Sequence, residues 1–269
     1  MVANEDATYG DLFQWGRIAD GHEKRNKIAI GSFGDLATDN TAVWTATTPP
    51  IYENGNILGT GSQTYPQQQV SRTDPNGYYG KFIKTNINGN YNWYAGNNVD
   101  INIIDMLWRE NAFAPNDPCQ HIKNDGNTYS TFYPDASTST AGGSSGTGWR
   151  MPSQSEWASI FRGGTTGAAA STSLANTWSW FQVSNSTTEG AKGFEIKPDG
   201  VTTTLLLPAS GNRNRTGAIL YYQGAVGYYW SGSVISTNAI FLYFNTGGTI
   251  NPASIDSRGN GFAVRCIKN

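Results

Sequence analysis

Residues 148–157 read G-W-R-M-P-S-Q-S-E-W, and they carry the clearest local pattern in this chain of 269 residues. Ser153 and Glu156 have the S-x-x-E spacing of a capping box. In that motif each of the two side chains accepts a hydrogen bond from a backbone N–H that the first turn of a helix leaves without a partner. The spacing therefore predicts that a helix starts at Ser153.

The apolar residues after the capping box define one face of that helix. Trp157, Ile160 and Phe161 stand at positions i, i+3 and i+4, which lie on one side of a helix. A Gly-Gly pair follows at 163–164, and glycine often ends a helix. We therefore predict a short amphipathic helix between Ser153 and this glycine pair.

The remaining pattern indicates strands and irregular loops. Residues 203–207, 239–244 and 262–267 are aliphatic, aromatic or β-branched runs that predict strands, and turn residues separate them. Residues 49–98 are rich in Gly, Asn, Gln, Pro and Tyr, so we expect irregular structure there. Residues 101–108 predict a short helix or strand. The pattern favours an α+β protein with an antiparallel sheet, few helices and long irregular loops and insertions.

The composition excludes some partners and favours others. Only 14% of the residues are charged, the formal net charge is -2, and Lys and Arg are scattered singly. The chain therefore offers no basic surface to nucleic acid. Aromatic residues reach 13%, with 14 Tyr and 9 Trp. These side chains bury a large area at a small cost in entropy, which suits both a loop-rich core and a recognition surface.

Neither a membrane span nor an export signal is visible in the sequence. No window approaches the roughly 20 apolar residues that cross a bilayer, so we expect no direct membrane insertion. Residues 1–6, M-V-A-N-E-D, lack the charged and apolar regions of a secretory signal. A protein that acts outside the cell would then have lost its leader, or would leave by another route, for instance as part of a virion.

Cysteine and histidine are scarce in this chain. Cys119 and Cys266 are too far apart for a CxxC redox or zinc pattern, and the only histidines are His22 and His121. We therefore expect no metal site, and structural roles for both histidines. A disulfide between the two cysteines would fit an extracellular protein and would constrain the unfolded chain. The sequence leaves open whether the two are bridged.

Several short motifs together resemble a known family. The stretch R-M-P-S-Q-S-E-W at 150–157, with R-G-G at 162–164, resembles the formylglycine-generating, sulfatase-modifying branch of the C-type-lectin-like fold. A closer resemblance, to the major paralogous domain first counted in Fibrobacter, covers nearly the whole chain. Its motifs keep their order and spacing, and they are Y-G at 9–10, Q-W-G-R at 14–17, D-G-H at 20–22, L-W at 107–108, N-D-P-C at 116–119, G-W-R-M-P at 148–152, L-P-A at 207–209, G-Y-Y-W-S at 227–231 and G-F-A-V-R-C at 261–266.

That family includes the variable proteins of diversity-generating retroelements, in which a reverse transcriptase copies a template with errors at adenines and rewrites a C-terminal gene segment. The resemblance implies a single C-type-lectin-like domain over residues 1–269. Residues 9–210 would form a scaffold with insertions, residues 211–260 a variable ligand-binding segment, and residues 261–269 a terminal framework strand. It also implies a non-enzymatic protein without a cofactor, which binds an unknown protein or glycan on a cell or phage-host surface. Such a protein acts outside the cell, on a phage tail or a bacterial surface.

Amino-acid usage in the C-terminal segment agrees with this origin. Randomising the adenines of AAC or AAT codons gives only codons that end in C or T, and these never encode Lys, Glu, Gln, Met or Trp. Residues 211–260 contain no Lys, Glu or Met, and their only Gln and Trp are Gln223 and Trp230, at family-like framework positions. A chain poor in charge also reaches such a bias by chance, so an ordinary, invariant paralogue remains an alternative.

The positions that we expect to vary and to contact a ligand are those where the family pattern tolerates Asn. They are Arg213, Arg215, Tyr221, Tyr222, Ala225, Val226, Tyr228, Ile235, Phe241, Tyr243, Ile255, Asp256 and Ser257. Exposed Tyr, Phe, Arg and Ile suit binding hot spots, although any one of these residues could equally pack into the core. Phe241 and Tyr243 alternate with Leu242 and Phe244 along one strand, so only one pair can face a ligand. We expect Leu242 and Phe244 to be core.

Known chemistries of similar folds fit the sequence poorly. The formylglycine-generating enzymes act through two cysteines close together near the C-terminus, and Cys266 has no such neighbour. Calcium-dependent lectins carry E-P-N or Q-P-D followed by W-N-D, and neither motif occurs. The G-x-S-x-G at 142–146 lies in a low-complexity stretch without the strand and helix of a nucleophile elbow. We expect no catalytic residue. The alternatives to a diversified binder are an invariant adhesin or glycan-binding module and, less expected, a sulfatase-modifying-type enzyme.

Overall fold

Strands dominate the part of the chain that the structure describes. The computed structural model describes residues 9–25, 41–45, 50–58, 64–71, 73–84, 92–94, 101–108, 114, 116–119, 149–162, 176–182, 192–197, 200–203 and 205–268. Two helices lie within these segments, α1 (Ile101–Met106) and α2 (Gln154–Arg162). The strands are, in chain order, β1 (Phe13–Gln14), β2 (Thr41–Val43), β3 (Tyr52–Leu58), β4 (Thr64–Val70), β5 (Phe82–Lys84), β6 (Trp149–Arg150), β7 (Thr177–Gln182), β8 (Lys192–Lys197), β9 (Leu205–Pro208), β10 (Asn212–Arg213), β11 (Leu220–Tyr221), β12 (Val226–Ile235), β13 (Asn238–Asn245), β14 (Ile250–Ser257), β15 (Gly261–Phe262) and β16 (Ile267–Lys268).

The antiparallel sheet β12–β13–β14 separates two hydrophobic clusters. Side chains alternate between the two faces of a strand, so Phe241 belongs to one cluster while Leu242 and Phe244 belong to the other. All three are buried. The prediction that Leu242 and Phe244 are core is confirmed, and Phe241 is core as well because its own face of the sheet is also covered.

Aromatic stacking fills the cluster on the Phe241 side. The rings of Trp230 and Phe262 are stacked with their centroids 4.2 Å apart, and the ring centroid of Phe241 lies 4.7 Å from that of Phe262.

On the opposite face of the sheet, Gly227 pairs with Phe244, and a Cβ at Gly227 would lie 2.0 Å from Phe244 Cζ. The ring of Phe244 can occupy this place only because residue 227 is a glycine.

A second sheet joins the two ends of the described chain. Its strand order is β1–β15–β10–β11, with Phe13 paired to Phe262 and Gln14 to Gly261. Arg213 pairs with Gly261 from the other side, so the hairpin of β10 and β11 extends this sheet. Strand β15 therefore connects the N-terminal strand β1 to the hairpin.

Helix α2 begins as the capping box predicts. Glu156 N donates to Ser153 Oγ (3.1 Å), and Ser153 N donates to Glu156 Oε2 (2.8 Å). Trp157 and Phe161 are buried in the cluster on the Phe244 side of the sheet. The predicted amphipathic helix is confirmed, while the glycine pair at 163–164 lies outside the described residues.

Two other predictions of local structure are wrong. Residues 49–98 contain β5 and the antiparallel hairpin of β3 and β4 rather than only irregular structure, because hairpin pairing is made by backbone groups and does not require an apolar pattern. Residues 262–267 do not form one final strand. Phe262 ends β15, and the chain then leaves that sheet so that β16 pairs with β6.

A disulfide fixes the C-terminal segment to the interior. The structure joins Cys119 to Cys266 across 147 residues of chain, with a Cα–Cα distance of 5.4 Å. Cys119 is fully buried, and its backbone N–H donates to Asp117 Oδ1 (2.8 Å). Asp117 Oδ2 in turn accepts a hydrogen bond from Met151 N (2.9 Å), so the loop before Cys119 is also tied to the segment that enters α2. Neither described helix is long and apolar enough to span a membrane.

Candidate ligand-binding face

The hairpin of β10 and β11 carries exposed apolar side chains at the surface. Its turn is closed by Asn214, whose Oδ1 accepts hydrogen bonds from Thr216 N (2.9 Å) and Gly217 N (3.1 Å). This is the local bonding that makes Asn favourable in turns. Ile219 and Tyr221 are exposed on either side of the buried Leu220. The hairpin therefore buries one side and presents the other to solvent.

Tyr222 follows the hairpin in a left-handed backbone conformation, with a φ of 60°. Its carbonyl oxygen accepts hydrogen bonds from Ala225 N and Val226 N, both at 3.0 Å. Close packing at Gly211 also holds this turn, since a Cβ there would lie 2.4 Å from the carbonyl oxygen of Tyr221. The Tyr222 side chain is 60% exposed, and its ring lies 5.9 Å from that of Tyr221.

Two further tyrosines come from the central sheet. Tyr228 on β12 pairs with Tyr243 on β13, and their ring centroids are 5.6 Å apart. Burial raises the pKa of Tyr228 well above its usual value, and the nearby Tyr243, Tyr222 and Asp256 raise it further. The Tyr228 hydroxyl therefore stays protonated and remains able to donate a hydrogen bond.

An ion pair links the hairpin to β14. Arg215 Nη1 lies 2.8 Å from Asp256 Oδ1, and both side chains are partly exposed. The backbone N–H of Arg215 also donates to Asn260 Oδ1 (3.0 Å). Because the two charges neutralise each other, the surface has polar groups here without a net charge.

These elements bring together six of the residues that the sequence analysis expects to contact a ligand. We refer to them as the tyrosine patch, and they are Arg215, Tyr221, Tyr222, Tyr228, Tyr243 and Asp256. The patch combines ring surface, phenol hydroxyls and one ion pair. Such groups bind a ligand through apolar contact and hydrogen bonds, and they supply no activated nucleophile.

Three other expected contact residues are buried. Arg213 is 1% exposed, and it donates from Nη1 to the carbonyl oxygen of His22 (3.2 Å) and from Nε to that of Ala218 (3.1 Å). Val226 and Phe241 are buried in the sheet. The structure does not bring these three side chains to the surface, because carbonyl groups hold the arginine inside and β-sheet packing covers the other two.

The last four expected positions do not join the patch in one surface. Ile235 and Ile255 are exposed, but strand alternation turns Ile255 to the face opposite its neighbour Asp256. Ala225 is half-buried in the turn after Tyr222, and the Ser257 hydroxyl donates to Asn92 Oδ1 (3.2 Å). Ala225 and Ser257 therefore contribute hydrogen bonds to the frame, whereas Ile235 and Ile255 lie elsewhere on the surface.

Sequence reasoning missed one exposed residue beside the patch. Ile219 is 40% exposed and precedes the buried Leu220. Strand periodicity was the available signal, since Ile219 and Tyr221 alternate with Leu220. All three residues are apolar, however, and the pattern alone cannot tell which side faces solvent.

A separate cluster of ionisable groups is buried within the N-terminal segment. Arg17 Nη2 donates to Asp20 Oδ2 (2.5 Å), and His22 Nδ1 lies 2.6 Å from Asp20 Oδ1. Burial and Arg17 lower the pKa of His22 to about 4. Burial opposes ionisation of Asp20, but Arg17 and His22 hold its pKa well below the usual range. The histidine is therefore neutral and the aspartate charged.

The ligand atoms of Asp20, His22 and Glu23 lie within 4.8 Å of one another, which is close enough to suggest a metal site. His22 Nε2, however, accepts a hydrogen bond from Gln14 N (3.0 Å), so the proton of the neutral ring is on Nδ1. That nitrogen has no lone pair for a metal ion, and the Arg17 guanidinium already neutralises Asp20. We assign the cluster a structural role. His121 and residues 142–146 lie outside the described residues.

In comparisons with known proteins, no family profile, curated protein or solved structure matches the chain. The function is therefore argued from the motifs of the sequence and from the geometry of the tyrosine patch.

Proposed function

We propose that this protein is a non-enzymatic ligand-binding protein of the C-type-lectin-like fold, and that retroelement-directed mutagenesis diversifies its binding face. The observation that carries the proposal is the convergence of six expected contact residues on the tyrosine patch. They come from the hairpin turn, the turn at Tyr222 and four strands, which are separated in sequence by buried residues. A set chosen for its sequence pattern thus includes three neighbouring pairs of side chains that are exposed or partly exposed.

The division between buried frame and exposed face supports this function. Gly227 and Trp230, which the family pattern assigns to the framework, are buried, and Trp230 Nε1 donates to the carbonyl oxygen of Phe13 (2.8 Å). Tyr221 and Tyr222, which it assigns to the variable set, are exposed. Substitution of exposed side chains has small effects on stability, so such a face tolerates repeated change.

The chemistry of the patch suits recognition of a partner. Tyr and Arg are the residue types that contribute most to binding energy in interfaces, because they combine large contact area with hydrogen-bonding groups. The ion pair of Arg215 with Asp256 leaves the patch without a net charge. We therefore expect binding to depend on apolar contact and hydrogen bonds more than on long-range charge.

Two observations support a role without catalysis. Cys119 and Cys266 are joined in a disulfide, so neither offers the thiolate that a formylglycine-generating mechanism needs. The groups with strongly shifted pKa near Asp20 have side chains at most 1% exposed, so a substrate does not reach them. A disulfide also suits a protein that acts outside the cell, on a virion or a bacterial surface.

The coding DNA tests the proposal directly. We expect Arg215 to be encoded by CGC or CGT, the tyrosines of the patch by TAC or TAT, and Asp256 by GAC or GAT, next to a template repeat and a reverse transcriptase gene. Between related strains, differences should concentrate at the patch and spare the buried Arg213 and Phe241, which serve as internal controls. Identical patch codons across strains, with no template repeat, would instead identify an invariant adhesin or glycan-binding module.

A further inference from the structure

Tyr222 is held in a backbone conformation that is unfavourable for its side chain. A φ of 60° brings the Cβ of an L-residue close to the backbone, and among residues with a side chain Asn and Asp tolerate it best. Tyrosine has no such advantage. A strained residue of this kind persists only where the surrounding structure fixes it, and it often marks a functional position.

The surrounding structure does fix this turn. The two hydrogen bonds from Ala225 N and Val226 N to the Tyr222 carbonyl close it, and Gly211 N donates to Val226 O (2.8 Å) behind it. The Arg25 guanidinium adds a support from the N-terminal segment through Gln223 Oε1 (2.8 Å) and the carbonyl oxygen of Ser210 (2.7 Å). The direction of the Tyr222 Cα–Cβ bond is therefore set before any ligand arrives.

The ring of Tyr222 is poorly placed to stabilise the folded chain. It is the most exposed tyrosine of the patch, and its ring stands 5.9 Å from Tyr221 at a tilt of 39°. We propose that Tyr222 is a preorganised anchor, whose ring enters an apolar pocket on a partner protein. This inference rests on the proposed function and names the class of partner for the same site.

The neighbours of Tyr222 favour a protein partner over a sugar. Ile219 and Tyr221 extend the exposed apolar area along the hairpin, and an aliphatic side chain gives a hydroxyl-rich sugar nothing to hydrogen-bond. The only charges of the patch, on Arg215 and Asp256, pair with each other. A weakly charged protein surface with an apolar pocket complements this arrangement.

The first arm of the test needs no partner. Tyr222→Asn is expected to raise the melting temperature of the protein by about 2 °C, because Asn accepts a left-handed φ at lower cost. The matched control, Tyr221→Asn, changes the adjacent exposed tyrosine, whose φ is not positive, and is expected to leave the melting temperature unchanged or lower it. A lower melting temperature for Tyr222→Asn would show that the ring stabilises the fold itself, and would overturn the proposal.

The second arm measures binding with defined probes. Three cell-surface display libraries randomise Arg215, Ile219, Tyr228, Tyr243 and Asp256. One keeps both hairpin tyrosines, one fixes Tyr222→Asn and one fixes Tyr221→Asn. After sorting for full-length display, each library is selected on immobilised lysozyme, streptavidin and dextran. We expect the Tyr222→Asn library to yield at least about tenfold fewer protein binders than the Tyr221→Asn library, as expected when a hot-spot ring is lost.

The outcomes separate the anchor from the proposed function. Equal yields from the two single-substitution libraries would overturn the anchor and leave the binding face intact. Binders on dextran alone would overturn the choice of a protein partner. Binders from none of the three libraries would overturn both the anchor and the proposed binding face.

Discussion

The carboxyl group of Glu23 lies where its charge is disfavoured. Its side chain is buried, and Oε2 accepts a hydrogen bond from Gly21 N (2.9 Å), while Oε1 has no hydrogen-bond partner within the described residues. Lys24 Nζ lies 3.6 Å from Oε1 as an ion-pair neighbour. Burial and the negative charge of Asp20 raise the pKa of Glu23 to about 7. The folded protein therefore binds a proton at Glu23 more tightly than the unfolded chain does.

This difference predicts a pH-dependent effect of Glu23→Gln. A raised folded-state pKa stabilises the protein fully below the unfolded pKa of about 4.5, and that contribution is lost as the pH rises through about 7. The free energy of unfolding of Glu23→Gln, relative to the unsubstituted protein, should therefore increase by roughly 2–3 kcal/mol over this range. Urea denaturation at several pH values measures it.

Asp11→Asn is the matched control for Glu23→Gln. It removes the other carboxylate beside Lys24, 2.7 Å from Nζ, at a site that is one-third exposed. A difference between Glu23→Gln and the unsubstituted protein that stays constant with pH would contradict the raised pKa.

Single residues also show why part of the site could not be predicted. The sequence patterns selected Tyr221 and Tyr222, which are exposed, but they also selected Arg213, which is buried. Charged side chains are almost never fully buried unless they are paired, so a sequence favours the surface for an arginine in a polar loop. Here the Arg213 Cζ lies 4.3 Å from the centroid of the Phe82 ring, and carbonyl oxygens accept its N–H groups. Two of those partners, Phe82 and His22, are distant in sequence and therefore invisible to any local pattern.

At the scale of elements, the start of α2 is the feature with the strongest local cause. Both halves of the capping box are formed, and Arg150 Nη1 donates to Glu156 Oε2 (2.7 Å) in addition. The helix positions Trp157, whose Nε1 donates to the carbonyl oxygen of Trp230 (3.2 Å) on the central sheet. The cap therefore affects the packing of the sheet as well as the helix.

Loss of the cap is expected to destabilise the whole protein. Ser153→Ala removes the acceptor for Glu156 N and should lower the free energy of unfolding by about 1 kcal/mol. Ser159→Ala is the matched control within the same helix. Its hydroxyl donates only to the carbonyl oxygen of Ser155, one turn earlier, and alanine has the higher helix propensity. Equal losses for the two variants in chemical denaturation would contradict the importance of the cap.

Elements differ in how well the sequence predicts them. The helix at 154–162 follows from the periodicity of its buried face, whereas the strand at 238–245 follows from its run of aliphatic and aromatic residues and is buried on both faces. The hairpin of β3 and β4 could not be predicted, since the Asn, Gly and Pro residues in its sequence are depleted in strands. The last strand was predicted too long because the pattern cannot show that the chain passes from one sheet to another after Phe262.

At the scale of the whole molecule, one covalent link constrains most of the chain. The disulfide of Cys119 with Cys266 closes a loop of 147 residues that includes α2 and the entire central sheet. Cross-linking a loop of this length removes loop-closure entropy from the unfolded chain.

Breaking this bond predicts a large loss of stability. The double substitution Cys119→Ser with Cys266→Ser should lower the free energy of unfolding by about 5 kcal/mol in the entropic treatment. Guanidinium denaturation measures it, and the unsubstituted protein under a reducing agent is the control, with a similar loss expected. If the oxidised and reduced proteins unfold at the same denaturant concentration, the bond does not constrain the unfolded chain in this way.

The mostly-sheet character of the molecule could be predicted from composition and turn residues, whereas the arrangement of its sheets could not. Pairing of Phe13 with Phe262 joins segments that are far apart in the chain, and pairing of Arg213 with Gly261 adds the hairpin to the same sheet. No periodicity within either segment encodes such a partner. The family motifs supplied the expectation of a shared frame, whereas which of the expected residues stay exposed follows only from the three-dimensional packing.

The pairing of β1 with β15 has a consequence for how the protein is made. Residues around Phe13 leave the ribosome long before their strand partner, Phe262, is synthesised. The sheet that carries the hairpin therefore cannot close until Phe262 has been translated. Contacts this distant in sequence also slow folding, because a long loop must be ordered before they form. The nascent chain must keep its aromatic N-terminal segment from aggregating throughout that interval, which makes it a candidate for binding by chaperones.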